Sequence, residues 1–195
     1  YLFDTETGRT RTRTPTHPGY DTYPRFSPDD KTIAFASQTR PGNEADLSVL
    51  WVHDVATGVN RPVTVDFDYN VENITWADNQ TVWFVSPIQG GAQICRVDIH
   101  NPVVAVVTSG EHYYGSFTMA GDRLVASRTQ IHRAAELFSI DKQSGAANQL
   151  TFINRDIYEH IKLPEAQKRW IKTTDGQDML VWVIVPPDFD PGRQY

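Results

Sequence analysis

The chain has 195 residues, 39% of them hydrophobic, and its 18 basic and 24 acidic residues give a formal net charge of −6. This length corresponds to one domain, or to one domain and part of a second. A mildly acidic chain without a basic cluster argues against nucleic acid and anionic membranes as partners. The longest apolar run, residues 179–185, is strand-sized and falls well short of the roughly 18 residues that a membrane span requires.

Two sequence markers repeat in phase along the chain. The first is a short apolar strand, a polar turn and a β-rich strand, and it occurs at residues 26–35, 75–84 and 117–126. The second is a turn that opens with an aspartate and usually closes with a glycine, and it begins at Asp4, Asp54, Asp98 and Asp141. These aspartates are separated by 50, 44 and 43 residues. A period of about 40–50 residues is typical of a four-stranded propeller blade.

The repeat predicts an all-β fold, a β-propeller fragment built of four-stranded antiparallel blades. In chain order we expect a partial first blade at residues 1–13, followed by full blades at about 20–65, 70–109 and 113–152. The second strands of the full blades are expected near 32–37, 81–86 and 123–129. No segment has a sustained helical period. The alternative is a β-sandwich with coincidental spacing, but two markers repeating in register favour the propeller.

The repeat stops after residue 163, which divides the chain into blades at 1–163 and a different segment at 164–195. Asp175-Gly176 is a strong hairpin-turn signal, and the strand after it, Met179–Val185, is apolar on both faces. Such a strand is expected to be covered on both sides. Since an isolated arc of blades would leave open sheet edges, we expect the chain to be part of a larger ring.

The junction carries a family resemblance. Lys172-Thr-Thr-Asp-Gly176, the apolar strand and Pro186-Pro-Asp-Phe-Asp-Pro191 resemble the entry to the catalytic domain of the prolyl-oligopeptidase family of serine peptidases. Within that family the chain is most similar to the acylaminoacyl-peptidase and dipeptidyl-peptidase-five branch, and the loop 40–46 also resembles a segment of that branch. Phe26-Ser-Pro-Asp29 is shared more widely with TolB-type propellers.

The resemblance implies a Ser-His-Asp triad on an α/β-hydrolase domain, with residues 164–195 as its linker and first hairpin. In that fold the nucleophile occupies a Gly-x-Ser-x-Gly turn. The sequence contains no such motif. We therefore assign no catalytic residue within the chain and expect the triad beyond residue 195. Six scattered histidines and one cysteine, Cys95, show no metal-ligand spacing, so neither a metal nor another cofactor is expected.

One loop is a candidate for substrate binding. Arg40, Glu44 and Asp46 lie in a Gly- and Pro-containing insertion between the second and third strands of the first full blade. They can form a solvated loop or salt bridges between blades. Alternatively, a carboxylate from Glu44 or Asp46 can bind the free amino terminus of a peptide as a charge-assisted pair.

These observations lead to one functional expectation and one alternative. The chain is expected to be the substrate-gating propeller part of a periplasmic or secreted serine exopeptidase, with a cytoplasmic location also open. Its partners would be short peptides and the remainder of the same polypeptide, with neither nucleic acid nor membrane. Dipeptidyl and acylaminoacyl specificity both stay open. The alternative is a TolB-like binding propeller without catalytic activity, and the 164–195 segment favours the peptidase.

Overall fold

The computed structural model describes residues 1–15 and 17–194, and its secondary structure is almost entirely β. The propeller strands are β1 Leu2–Phe3, β2 Thr10–Arg11, β3 Asp21–Phe26, β4 Thr32–Ser37, β5 Val49–Asp54, β6 Asn60–Pro62, β7 Glu72–Trp76, β8 Thr81–Ile88, β9 Gly91–Asp98, β10 Ala105–Val106, β11 Tyr113–Ala120, β12 Arg123–Gln130, β13 Arg133–Asp141 and β14 Ala147–Gln149. A one-turn helix and a hairpin follow, namely α1 Arg155–Tyr158, β15 Glu165–Lys172 and β16 Asp178–Val185.

Each full blade is an antiparallel meander whose successive strands are neighbours. The first blade has the order β3-β4-β5-β6, and the second (β7 to β10) and third (β11 to β14) repeat it. The register of second and third strands also repeats, through the pairs Phe35 with Trp51, Phe84 with Cys95, and Ala126 with Phe138. The second strands therefore occupy equivalent positions, and the predicted all-β propeller class is confirmed.

The repeated aspartate turns have the geometry that their sequence predicts. In the first blade, the Asp54 carboxylate accepts a hydrogen bond from the Thr57 N–H at 2.7 Å. The Gly58 N–H donates to the Asp54 carbonyl at 2.9 Å, and Gly58 has a φ of +75°. The backbone N–H of Thr57 is also the main reason that the pKa of Asp54 is lowered. Asp4 and Asp141 form the same turn, so one local signal sets the connection between third and fourth strands.

The hydrophobic cores lie between blades. On β8, Val82 and Phe84 belong to a buried cluster shared with the first blade, whereas Trp83 belongs to a cluster shared with the third. Because side chains alternate across a strand, the apolar run 82–85 is buried on both faces. The middle strands of the second blade thus pack against both the first and the third blade, and no single blade buries its apolar residues alone.

Strands β15 and β16 form a two-stranded sheet of their own, paired from Glu165↔Val185 to Lys172↔Asp178. The hairpin turns at the predicted place, since the Gly176 N–H donates to the Thr173 carbonyl at 3.0 Å. It does not complete a fourth blade. Among its apolar residues only Val185 is buried, so the predicted two-sided cover of this strand is absent from the described residues. The assignment of 164–195 to a second domain, with residue 195 outside the described range, stays a prediction.

The hairpin contacts the second blade at the β8–β9 turn. Lys168 Nζ donates to Gln89 Oε1 at 3.2 Å, and Trp182 lies directly against Gly90. A Cβ atom on Gly90 would lie 2.6 Å from Trp182 Nε1, which is closer than real contacts allow. Gly90 also has a φ of +78°, a conformation that favours glycine. The turn therefore needs glycine both for its backbone and for the approach of the hairpin.

We expect Gly90→Ala to loosen the hairpin in the full-length protein. Hydrogen exchange of amides in 165–185 should become several-fold faster, because the new methyl group displaces Trp182. Gly121→Ala is the matched control, since Gly121 also has a positive φ (+60°) but nothing lies within 4 Å of the position that a Cβ atom would take there. Equal exchange in the two variants would contradict a specific contact between the hairpin and the blade.

Candidate functional site

The loop between β4 and β5 is organised around the buried carboxylate of Asp46. Asp46 accepts hydrogen bonds from Arg40 Nε at 2.8 Å and from the Arg40 backbone N–H at 2.8 Å. Asn43 Nδ2 donates to the same carboxylate at 3.0 Å. The hydrogen bond with the Arg40 side chain is the main reason that the pKa of Asp46 lies below its ordinary value. Arg40 and Asp46 therefore fix the shape of the loop.

Glu44 is held in the same loop but its side chain is exposed. Gln38 Nε2 donates to the backbone carbonyls of Glu44, at 3.2 Å, and Asp46, at 2.9 Å. Within the described part of the chain, the Glu44 carboxylate has neither a hydrogen bond nor an ion pair. Of the three residues predicted for substrate binding, two are thus paired with each other and one is free. Their role towards substrate stays a prediction.

The loop lies at a defined end of the blades. In a four-stranded meander, the connections between second and third strands of all blades lie at the same end. These connections are 38–48, 89–90 and 131–132. The hairpin β15–β16 contacts the second of them through Trp182. The Glu44 loop therefore lies at the end of the blades where the chain leaves the propeller.

One serine, histidine and aspartate lie close together in the first blade, a grouping that the sequence did not reveal. His17 Nδ1 lies 3.2 Å from Ser37 Oγ and 3.6 Å from Asp21 Oδ1. A catalytic triad needs the serine on one ring nitrogen and the carboxylate on the other. Here both neighbours approach the same nitrogen, so this group cannot relay a proton from the serine. Its geometry is that of a packing contact.

Cys95 is a packed thiol. It is fully buried on β9, and burial raises the pKa of its thiol to about 12. A thiol in this state is not a nucleophile near neutral pH. Within 1–15 and 17–194 there is no group of three or more His, Cys, Asp or Glu side chains able to hold a metal ion. No helix in those residues is long and apolar enough to cross a membrane.

Glu136 is a second organising carboxylate that sequence reasoning missed. It is buried on β13 and accepts hydrogen bonds from the Thr151 hydroxyl and from the Asn154 backbone N–H, the latter at 3.0 Å. Asn154 Nδ2 also donates to it, at 3.1 Å. The hydrogen bond from Thr151 is the main reason that the pKa of Glu136 falls to about 2. The carboxylate ties the segment after β14 back onto the third blade.

This arrangement predicts that the stability of the protein decreases at acidic pH. Because the pKa of Glu136 falls from 4.5 to about 2 on folding, its stabilisation is complete above pH 4.5 and is lost as the pH drops towards 2. Glu136→Gln should therefore flatten the decrease in the thermal midpoint of the full-length protein across this pH range. Glu159→Gln is the control, since Glu159 is exposed near the same segment. An unchanged pH profile in Glu136→Gln would contradict the assigned role.

Comparison with known proteins finds curated relatives that align with the whole chain. No protein-family model matches the chain. Dipeptidyl-peptidase 5 of Porphyromonas gingivalis is 37% identical over 196 aligned positions, which cover 100% of this chain and 29% of that protein. Dipeptidyl-peptidase 5 of Porphyromonas endodontalis is 35% identical, with 28% of its length covered. The chain thus spans less than a third of the length of the curated relatives it matches.

A solved structure with a similar fold is the acylaminoacyl peptidase of Pyrococcus horikoshii. It is 22% identical with a TM-score of 0.68, over 84% of this chain and 25% of that protein. TolB of Acinetobacter baumannii is 19% identical with a TM-score of 0.56, over 95% of this chain and 48% of that protein. These likenesses establish the propeller fold. Together with the dipeptidyl-peptidase 5 relatives, they confirm the similarity of this chain to the prolyl-oligopeptidase family, in its acylaminoacyl-peptidase and dipeptidyl-peptidase 5 branch.

Proposed function

We propose that the chain is the non-catalytic, substrate-gating propeller part of a serine exopeptidase that hydrolyses short peptides. The observation that carries the proposal is the alignment with dipeptidyl-peptidase 5, which runs through all the blades and through the separate hairpin 165–185. A hairpin outside the blades is expected where a second domain joins the propeller. The periplasmic or secreted location stays a prediction.

In this proposal the chemistry belongs to a hydrolase domain that the hairpin begins. A serine activated by histidine attacks the peptide carbonyl and forms an acyl-enzyme, which water then hydrolyses. The propeller limits access, so that folded proteins are excluded and short peptides enter. Its contribution to specificity is the free carboxylate of Glu44, at the end of the blades that carries the hairpin.

Recognition of an amino terminus gives Glu44 a chemical role. A peptide ammonium is a compact cation with three N–H donors, and an unpaired carboxylate is its natural acceptor. Asp46 is unsuited to this because Arg40 already occupies its oxygens. We infer that Arg40 and Asp46 position the loop, whereas Glu44 contacts the substrate. This assignment favours dipeptidyl over acylaminoacyl specificity, since an acylated terminus offers no ammonium.

The second candidate function is a TolB-like binding propeller without catalysis, which the fold likeness to TolB supports. Product analysis with the full-length protein separates the two. Peptides of increasing length, with free or acetylated amino termini, are incubated with the protein and the products are identified by mass spectrometry. Release of dipeptides from short, free-amino peptides supports the proposal, and release of acetylated residues supports the acylaminoacyl variant of it. Peptide binding without any product would favour the binding module.

A further inference from the structure

A cavity of about 430 Å³ lies where β12, β13 and α1 meet, and three arginines line it. They are Arg128 on β12, Arg133 at the start of β13 and Arg155 at the start of α1, and we call them the arginine cluster. The cavity is next to the connection between second and third strands of the third blade. It therefore opens at the same end of the propeller as the Glu44 loop and the hairpin contact.

Each arginine of the cluster lies over an aromatic ring. The distances from guanidinium carbon to ring centroid are 3.5 Å for Arg128 over Phe138, 5.2 Å for Arg133 over Tyr158 and 4.4 Å for Arg155 over Phe152. Stacking uses the flat face of a guanidinium and leaves the N–H groups at its edge available. The rings therefore hold the arginines in place without using their N–H groups, although Arg128 also forms a hydrogen bond with Tyr114.

No carboxylate forms an ion pair with the cluster within the described part of the chain. The ion pairs found there do not include any of the three arginines. Two glutamates also line the cavity. The oxygens of Glu136 are taken by Thr151 and Asn154, and Glu159 is exposed and forms no ion pair with the cluster. Three guanidinium groups thus converge on one cavity with their donors unpaired by acids.

We propose that the arginine cluster binds the carboxylate of a short peptide. A guanidinium presents two parallel N–H groups that match the two oxygens of a carboxylate, which a lone ammonium group does not do. The ligand class rests on the proposed function, in which short peptides enter at this end of the propeller. The cluster would hold a peptide by its acidic group, and Glu44 would hold its amino terminus. A peptide with both charges would then be preferred over one with either alone.

Binding measurements on the full-length protein test this. The ligands are two short peptides of the same sequence with neutral side chains, one with a free C-terminal carboxylate and one with a C-terminal amide. Backbone N-methylation makes both resistant to hydrolysis, and calorimetry gives the Kd. We expect the acid to bind about tenfold more tightly than the amide, as for a charge-assisted hydrogen bond. Arg133→Gln and Arg155→Gln should each reduce that preference several-fold.

Arg96→Gln is the matched control. Arg96 also lies over an aromatic ring, 5.6 Å from the centroid of Trp83, but it is outside the cavity. Its substitution should leave the preference for the acid unchanged. Arg133 and Arg155 are both exposed, so neither substitution is expected to impair folding. A third peptide has a C-terminal amide and one internal glutamate, and it shows whether the site takes a terminal or a side-chain carboxylate. If it binds tightly and the cluster variants abolish that binding, the site is assigned to side-chain carboxylates.

Equal affinity for acid and amide in the parent protein would overturn the inference, and so would a preference that survives every cluster substitution. The readout is binding, so it is separate from the proposed peptidase activity. A protein that cleaves no peptide but prefers the acid would contradict the peptidase proposal and support the cluster. A protein that cleaves peptides with no preference for the acid would contradict the cluster alone.

Discussion

Glu44→Gln should slow the hydrolysis of peptides with a free amino terminus by about ten- to a hundredfold in kcat/KM, because a hydrogen bond to a charged group contributes about 1.5–3 kcal/mol. Glutamine keeps the size of the side chain but removes the negative charge that would face the peptide ammonium. Peptides with acetylated amino termini should be hydrolysed at the parent rate, since they have no ammonium to lose. The measurement is kcat/KM for a matched pair of free and acetylated substrates with the full-length protein.

Asp122→Asn is the control for this substitution. Asp122 is an exposed acid in the β11–β12 turn, at the opposite end of the third blade. Its change should affect neither substrate. If Glu44→Gln hydrolyses free-amino substrates at the rate of the parent protein, Glu44 does not bind the substrate ammonium. An equal loss on free and acetylated substrates would instead mean that the substitution disturbs the loop that Asp46 and Arg40 hold.

Phe84→Ala should destabilise the contact between the first and second blades by about 3–5 kcal/mol, the usual cost of removing a buried aromatic side chain. Phe84 is fully buried in the cluster shared by these blades, and its ring lies 6.0 Å from that of Phe67. Hydrogen exchange of β8 and β9 amides in the full-length protein measures the local free energy of opening. Phe26→Ala, at a residue 46% exposed, should have a much smaller effect.

A similar exchange rate in Phe84→Ala and Phe26→Ala would contradict an inter-blade core. The structure attributes the stability of the middle strands to contacts with neighbouring blades rather than to the hydrogen bonds within a blade. A cavity at Phe84 should therefore speed exchange on β4 and β5 of the first blade as well, because Leu50 and Val52 pack in the same cluster. Exchange on β12 and β13 should change least.

The propeller was predictable from the sequence because its signals are local and repeat. The Asp54 and Asp141 turns each need only an aspartate oxygen and a positive-φ glycine a few residues apart. The second strands are short apolar runs that begin within a few residues of a polar turn. The fourth strands are short, and β6 ends where the Leu50 N–H donates to the Thr64 hydroxyl, at 2.9 Å, instead of to a backbone carbonyl.

The candidate sites were less predictable because they depend on which oxygens and N–H donors already form hydrogen bonds within the protein. Three charged residues in the loop 40–46 are visible in the sequence, but only the folded loop shows that Asp46 is occupied and Glu44 is free. The arginine cluster joins residues on two strands and a helix, from Arg128 to Arg155. No local period connects positions so far apart, so only the packing of the third blade brings them together.

Active-site labelling tests the central claim most directly, namely that this chain gates substrates for a serine nucleophile located elsewhere. The full-length protein is treated with a fluorophosphonate probe and the labelled serine is located by peptide mass spectrometry. A single labelled serine outside residues 1–195, together with loss of peptide hydrolysis, is the predicted result. Stoichiometric labelling of a serine inside the chain, such as Ser37 beside His17, would contradict the assignment of these blades to a non-catalytic role.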